Sequence, residues 1–152
     1  MAPDELERMV LRRVVLIDTN IIIYLTDSVE PYVALSRRLF EIIERGNAQG
    51  VVSMVSVAEV MQGPLRKGRK ENACRVRDFL FNFPNLVCQD VTHEVLEKIG
   101  ADKRVQWSRL RAADSVIIAS GIQGRADRVV SNDRHFKAAL EPGFLLSFED
   151  SL

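Results

Sequence analysis

Residues 14–20 have the sequence Val-Val-Leu-Ile-Asp-Thr-Asn, four aliphatic residues followed by an acid, a hydroxyl and an amide. An aliphatic run without polar alternation is typical of a strand buried on both faces, as in a parallel sheet covered by helices. The acid that closes this run, Asp18, falls at the carboxyl end of the strand, where such sheets bind their ligands. The stretch therefore predicts an α/β fold and the edge of the sheet at which a site would lie.

Short aliphatic runs alternate with helical periodicity through the rest of the chain. Residues 32–45, for example, carry Leu35, Leu39, Ile42 and Ile43 on one helical stripe. Such alternation indicates βαβ units and a parallel sheet with helices on both faces. The predicted strands are residues 14–17, 50–55, 86–88, 128–130 and 144–146, and the predicted helices are residues 32–45, 57–61, 72–81, 92–99 and 110–122.

The composition is that of a globular protein. Of 152 residues, 47% are hydrophobic and 28% are charged, which excludes disorder as the default, and the length predicts a single domain over residues 1–152. Cys74 and Cys88 are too few for a disulfide framework and lack the spacing of a structural zinc site. Because the N-terminus is acidic and no apolar run is long enough to span a membrane, we expect a cytoplasmic protein without membrane contact.

The charges are balanced overall but unevenly distributed. The chain has 21 basic and 21 acidic residues, which excludes a polybasic nucleic-acid coat. Residues 66–77 nevertheless carry six bases and one acid, and residues 103–111 carry four bases and no acid. Two interpretations remain open: solvated helix faces, or a rim that binds a polyanion.

Four carboxylates fall at positions where this fold would gather them. Asp18 closes the first strand, Glu59 follows the second, and Asp133 follows the fourth. Asp114 lies on an apolar stripe near the start of the helix at residues 110–122, and the chain from there to Asp133 fits one helix and one returning strand. We therefore expect all four at one edge of the sheet.

Each acid also has a purely structural interpretation. Asp18 and Asn132 are good helix N-caps, Ser56-x-x-Glu59 matches a capping box, and Asp133 suits the first turn of a helix. Together, however, four carboxylates in a partly dry cleft would repel one another and have raised pKa values. A divalent cation such as Mg²⁺ is the usual remedy, and a pair of such ions can clamp a phosphodiester.

The set of motifs resembles the PIN-domain family, and within it the VapC-type ribonuclease toxins of toxin–antitoxin pairs. The resemblance rests on the order and spacing of four segments, which are Val14-Val-Leu-Ile-Asp-Thr-Asn20, Ser56-Val-Ala-Glu59-Val, Ala113-Asp114-Ser-Val-Ile-Ile-Ala-Ser and Ser131-Asn-Asp133-Arg-His-Phe. It implies a three-layer α/β/α sandwich with a mainly parallel sheet of about five strands. It also implies an endoribonuclease dependent on Mg²⁺ or Mn²⁺ that acts on RNA, forms a homodimer and is inhibited by a cognate antitoxin protein.

The resemblance also assigns residues. It makes Asp18, Glu59, Asp114 and Asp133 the catalytic, metal-binding acids. The residues that would support these acids or contact RNA are Thr19, Asn20, Ser131 and Asn132, and we add Arg111 from the second basic segment.

Other functions remain as alternatives. One is a PIN nuclease of RNA processing that is not a toxin, and another is a non-catalytic module that binds nucleic acid or protein. A haloacid-dehalogenase-like phosphatase would use Asp18 as its nucleophile, but it needs a second aspartate where this chain has Asn20. A receiver-like phosphoacceptor domain would need paired acids and a late lysine, which we do not find.

The run at residues 21–25 is apolar on all sides, more than a surface helix requires. With the stripe at residues 35–43 it predicts either a surface that a partner covers or a helix covered by the one that follows it.

Overall fold

The aliphatic run Val14–Ile17 (β1) is the central strand of a parallel sheet in the computed structural model, which describes residues 1–150. Val15 and Ile17 point into the core on one face of the sheet, and Leu16 points into the core on the other. All three side chains are fully buried. Burial on both faces explains why this strand has no polar alternation.

Four more strands and eight helices complete the described chain. The strands are β2 (Gln49–Ser53), β3 (Leu86–Gln89), β4 (Arg128–Val130) and β5 (Leu145–Leu146), and the helices are α1 (Pro3–Val10), α2 (Thr19–Thr26), α3 (Val33–Glu44), α4 (Met54–Arg66), α5 (Lys70–Asn82), α6 (His93–Lys98), α7 (Ala112–Gln123) and α8 (Arg134–Ala139), with a short 3₁₀ turn at Trp107–Arg109.

The sheet has the order β3-β2-β1-β4-β5, and every pairing in it is parallel. The chain first builds outward from β1 to β2 and β3, and it later returns to the other side of β1 with β4 and β5. The connections after β1 and β4 therefore diverge, and a crevice forms beyond the carboxyl ends of these two strands. This crevice is the place where the topology favours a ligand site.

Two hydrophobic cores lie on opposite faces of the sheet. Leu6 of α1, Ile21 of α2 and Leu39 of α3 belong to the first core. Ile117 of α7 and Phe136 of α8 belong to the second. The arrangement is a three-layer α/β/α sandwich around a five-stranded parallel sheet, which confirms the predicted fold class.

The apolar run at residues 21–25 is largely covered by the chain itself. Ile21 and Ile22 are fully buried, and the Ser36 hydroxyl of α3 donates to the Ile21 carbonyl at 2.8 Å. Leu39 and Ile43 of α3 are fully buried as well. The interpretation of these helices as a surface for a partner is therefore wrong for their buried stripe, since α3 covers α2.

Helix α4 begins earlier and ends later than predicted. Ser53 is its N-cap, with the Ser53 hydroxyl accepting a hydrogen bond from the Val55 N–H at 3.2 Å, so the strand predicted over residues 50–55 stops at Ser53. Ser56 and Glu59 then lie inside the helix, and the capping-box interpretation of this pair is wrong. Helices α1 and α8 were not predicted, and α7 begins at Ala112, two residues later than expected.

Helix α7 lies unusually close to β1. A Cβ atom at Gly121 would stand only 2.7 Å from Leu16 Cδ2 and 2.9 Å from Leu16 Cβ. A side chain at this position would require Leu16 or the helix to shift, and the close approach fixes the position of the helix that carries Asp114. Within residues 1–150, no helix has the length and apolarity that crossing a membrane requires.

Candidate active site

Asp18 is a buried carboxylate at the end of β1. It is the N-cap of α2, and its Oδ1 accepts a hydrogen bond from the Thr19 N–H at 2.7 Å. Its Oδ2 accepts one from the Ser131 hydroxyl at 2.6 Å, and the residue is only 5% exposed. The interpretation of Asp18 as a helix N-cap is therefore confirmed, but its side chain is buried more deeply than that of an ordinary surface N-cap.

Ser131 joins Asp18 to Asp133 across the neighbouring strands. It follows β4, which pairs with β1. Its hydroxyl donates to Asp18 and accepts from the Asp133 N–H at 3.0 Å, and the residue is fully buried. Asp133 in turn is the N-cap of α8, with Oδ1 accepting from the His135 N–H at 2.6 Å. The buried Ser131 hydroxyl thus orients both Asp18, after β1, and Asp133, after β4.

Asp114 lies in the first turn of α7 and is 7% exposed. Arg111, the N-cap residue of that helix, lies with its Nε 3.4 Å from Asp114 Oδ2. The Arg111 side chain is 77% exposed, so this contact has little strength of its own and leaves the guanidinium free to turn towards another anion.

Glu59 reaches the site from α4 through Thr19. The Thr19 hydroxyl donates to Glu59 Oε1 at 2.8 Å and lies 2.9 Å from Ser56 Oγ. Glu59 is an exposed residue, in contrast to Asp18 and Asp114. Glu59 is thus hydrogen-bonded to Thr19, the residue after Asp18, and not to the backbone at the start of its own helix, α4.

Burial raises the pKa of Asp18 from its ordinary value of 3.8 to about 7. The hydrogen bonds from Ser131 and Thr19 oppose this increase in pKa, while the charges of Asp133 and Asp114 add to it. Two of the other acids are therefore close enough for their charges to act on Asp18. The charges of residues 1–150 that shift this pKa are both negative, so they disfavour the ionised form of the carboxylate.

The polar residues around the acids have different surroundings. The side-chain Oδ1 of Asn20, two residues after Asp18, is buried and has no hydrogen-bond partner among the described residues. Asn132 is fully engaged, since its Oδ1 accepts from the Phe148 N–H at 2.8 Å and from the Ser147 hydroxyl at 3.0 Å, and its Nδ2 lies 3.4 Å from Tyr24 Oη. Asn132 therefore fixes the loop after β4 against the residues that follow β5.

Tyr24 and Ser147 are site residues that the sequence did not single out, and Ser56 was noticed in the second motif and as half of a capping box but was not assigned to the site. The partner of the Ser56 hydroxyl, Thr19, is 37 residues away in the chain. Tyr24 and Ser147 approach Asn132 through tertiary contacts, for which no local pattern exists in the sequence.

The donor set at this edge suits a hard divalent cation in its chemistry. It consists of carboxylate, hydroxyl and amide oxygens, including the unpartnered oxygen of Asn20. Within residues 1–150, no three acids, histidines or cysteines lie close enough to ligate one ion together. Mg²⁺ does not need such a cage, because it is usually held by one or two carboxylates with water and substrate phosphate oxygens.

The two basic segments behave differently. Lys67, Arg69 and Arg75 of the first line a cavity together with Glu59. In the second, Arg104 pairs with Asp102 at 2.7 Å and stacks over the Phe144 ring at 3.8 Å, and Trp107 packs against the second core. Only the first segment therefore presents several bases to a concave surface near the acids.

The family model described as PIN domain matches residues 15–140 of this chain. That range spans all four acids. No curated protein compared with the chain matches it.

Several solved structures share the fold. VapBC2 from Rickettsia felis, bound to a DNA fragment from its promoter, has 18% identity and a TM-score of 0.65, and the alignment covers 88% of this chain and 98% of that one. DNA-bound VapBC from Salmonella typhimurium has 17% identity and a TM-score of 0.63, covering 90% and 98%. VapC20 from Mycobacterium tuberculosis, a toxin that cleaves the sarcin–ricin loop, has 14% identity and a TM-score of 0.59, covering 82% and 93%.

Proposed function

The chain belongs to the PIN domain family, and from this we propose that it is a metal-dependent endoribonuclease that hydrolyses RNA phosphodiester bonds. The observation that carries the proposal is the environment of Asp18. This carboxylate is buried beside two further acids, and burial together with their charges raises its pKa to about 7. Such a group is costly to keep ionised unless a cation accompanies it. A polyanionic substrate with its divalent ion would supply that cation.

The residues proposed to hold divalent ions are Asp18, Asp114, Asp133 and Glu59, with one or two of these carboxylates binding an ion directly and the others acting through water. Bound at this edge, Mg²⁺ or Mn²⁺ would polarise the phosphate and supply an activated water. Ser131 keeps Asp18 and Asp133 in a fixed relation, and Thr19 orients Glu59. Arg111 is free to contact a phosphate oxygen, and Asn20, which follows Thr19, supports the acids with a buried side-chain oxygen.

We further propose that this nuclease is the toxin of a type II toxin–antitoxin pair, acts in the cytoplasm and forms a homodimer. The support is structural likeness to the toxin–antitoxin complexes from Rickettsia felis and Salmonella typhimurium, which extends over 98% of the matched chains. The partner would then be a cognate antitoxin protein that blocks the same edge of the sheet.

Removal of divalent metal is the direct test of the proposed activity. Purified protein is expected to cleave single-stranded RNA with Mg²⁺ or Mn²⁺, to stop in excess EDTA, and to recover when the ion is restored, because the acids cannot bind a phosphodiester without a cation. Electrophoresis of an end-labelled RNA measures this. Full activity in EDTA would contradict metal dependence, and no cleavage with any divalent ion would favour the non-catalytic module.

The Glu59→Gln variant is expected to retain its fold and lose most of its cleavage, on the order of 100-fold. Glutamine can still accept the hydrogen bond from Thr19, so the free energy of unfolding should change by less than about 1 kcal/mol. The charge that would face a metal or a metal-bound water is lost. Cleavage rates with Mg²⁺ and melting temperatures, measured beside Glu97→Gln on an exposed position of α6, test this. A fully active Glu59→Gln protein would leave a three-acid site.

A further inference from the structure

A cavity of about 540 Å³ lies between α2, α4 and α5, and Glu59 is the one of the four acids that lines it. Its volume falls within the range of roughly 300–1,000 Å³ that is typical of small-molecule sites. Glu59 lines it and is also hydrogen-bonded to Thr19, the residue after Asp18. The cavity therefore opens next to the proposed cleavage site.

The wall formed by the α4–α5 turn and α5 is basic. Lys67 and Arg69 line the cavity and make no ion pair within residues 1–150. Arg75 has one partner, Glu71, at 4.0 Å, and both of these side chains are more than three quarters exposed, so that pair is weak. Asp27, after α2, and Glu59, in α4, also line the cavity. The lining thus includes three largely uncommitted cations and two acids.

The floor of the cavity is aliphatic. Ile23 of α2 and Val76 of α5 are half-buried there, and Val60 of α4 is 4% exposed. These aliphatic side chains can make van der Waals contact with a flat ring, but they have no group that could form a hydrogen bond with it. Cations above an aliphatic floor match a nucleotide, which has an anionic phosphate and a planar base.

We propose that this cavity binds one unpaired nucleotide of the RNA next to the scissile bond, with its phosphate on Lys67 and Arg69 and its base on the floor formed by Ile23, Val60 and Val76. The inference rests on the proposed ribonuclease function and adds to it a subsite that determines specificity. Sequence-specific proteins read RNA mostly where bases are unstacked, and a base must be unpaired to enter this cavity. The same subsite would therefore favour loops and single strands over duplex.

A matched pair of double variants tests the proposal. Lys67→Ala/Arg69→Ala removes two bases that line the cavity, and Arg66→Ala/Lys70→Ala removes two bases from the same segment that do not. Fluorescence anisotropy with a labelled single-stranded RNA of about 12 nucleotides, in EDTA at several salt concentrations, measures binding separately from cleavage. We expect the first variant to bind at least about tenfold more weakly and its salt slope to fall by about 0.7, the value for one phosphate of a single strand, and the second to change by less than about threefold.

The base contact has its own variant. Val76→Ala shortens the floor and is expected to weaken binding about three- to tenfold without changing the salt slope, because it removes apolar contact and no charge. Melting temperatures of all three variants establish that the folded proteins are being compared.

The outcomes separate this proposal from the function on which it rests. If wild type binds and cleaves RNA but the two double variants bind it equally, the cavity is not a subsite and the ribonuclease stands. If Lys67→Ala/Arg69→Ala leaves RNA binding unchanged, the proposal is overturned and a protein partner becomes the better occupant. If wild type binds no RNA in EDTA but cleaves it with Mg²⁺ or Mn²⁺, the subsite falls and the ribonuclease stands, whereas if it does neither, both proposals fall.

Discussion

The Asp18→Asn variant is expected to lose metal-dependent RNA cleavage by at least about 1,000-fold and yet to be more stable than wild type when metal is absent. The asparagine side-chain oxygen can still accept the hydrogen bond from the Thr19 N–H, and its amide nitrogen can donate one to the Ser131 hydroxyl oxygen. It removes the charge that is costly in this buried position beside Asp114 and Asp133. Activity and stability should therefore move in opposite directions.

The gain in stability has a defined pH dependence in EDTA. The pKa of Asp18 is raised to about 7 in the folded protein, so between its unfolded value and pH 7 the folded state binds the extra proton. In wild type, the contribution of Asp18 to the free energy of unfolding is fully present below about pH 4 and is lost as the pH rises through about 7. The advantage of Asp18→Asn should thus grow from near zero at about pH 4 to as much as about 4 kcal/mol at about pH 8.

Urea denaturation at the two pH values, with the exposed Asp90→Asn as a control, measures this advantage. A difference between variant and wild type that stays constant with pH would contradict the raised pKa. A cleavage rate near that of wild type would instead remove Asp18 from the proposed catalytic acids.

The Gly121→Val variant is expected to be destabilised by about 3 kcal/mol or more, because its side chain would overlap Leu16 on the central strand. Gly121→Ala should cost less, about 1–2 kcal/mol, since alanine improves the helix while still meeting Leu16 at 2.7 Å. The alanine variant is expected to fold and to cleave RNA on the order of 100-fold more slowly, because a shift of α7 moves Asp114 away from Asp18.

Thermal unfolding and cleavage rates of both variants test this, with Gly143→Ala as the matched control. A Cβ atom at Gly143 meets nothing within 4 Å, so that change should leave stability within about 1 kcal/mol and activity unchanged. An alanine at position 121 that matches wild type in both properties would mean that α7 can move without disturbing the acids.

The central strand and the edge of the sheet were predictable because they follow from local pattern and topology. A short aliphatic run such as Val14–Ile17 is typical of an interior strand, and parallel strands bring their closing residues to one edge. Asp18 and Asp133 were therefore predicted to lie at one edge of the sheet, and the strands that they follow, β1 and β4, are paired.

The finer structure was not predictable, because it depends on contacts between distant residues. Both Ser53 and Ser56 can cap a helix, and the choice of Ser53 depends on where β2 stops pairing with β3. Asn132 has an ordinary N-cap signature, yet its side chain holds Ser147 and Phe148 instead. The space left for Gly121 depends on Leu16, more than a hundred residues earlier in the chain.

The pairing of β1 with β4 has a consequence for the protein while it is being synthesised. Asp18 and the serine that orients it, Ser131, are separated by 113 residues. A nascent chain that has left the ribosome only as far as α6 holds Asp18 and Glu59 but neither Asp114 nor Asp133. Because long-range parallel pairing is slow to form, the four acids assemble only after nearly the whole chain is released. An enzyme proposed to cut RNA would thus stay incomplete beside the message and the ribosome that are making it.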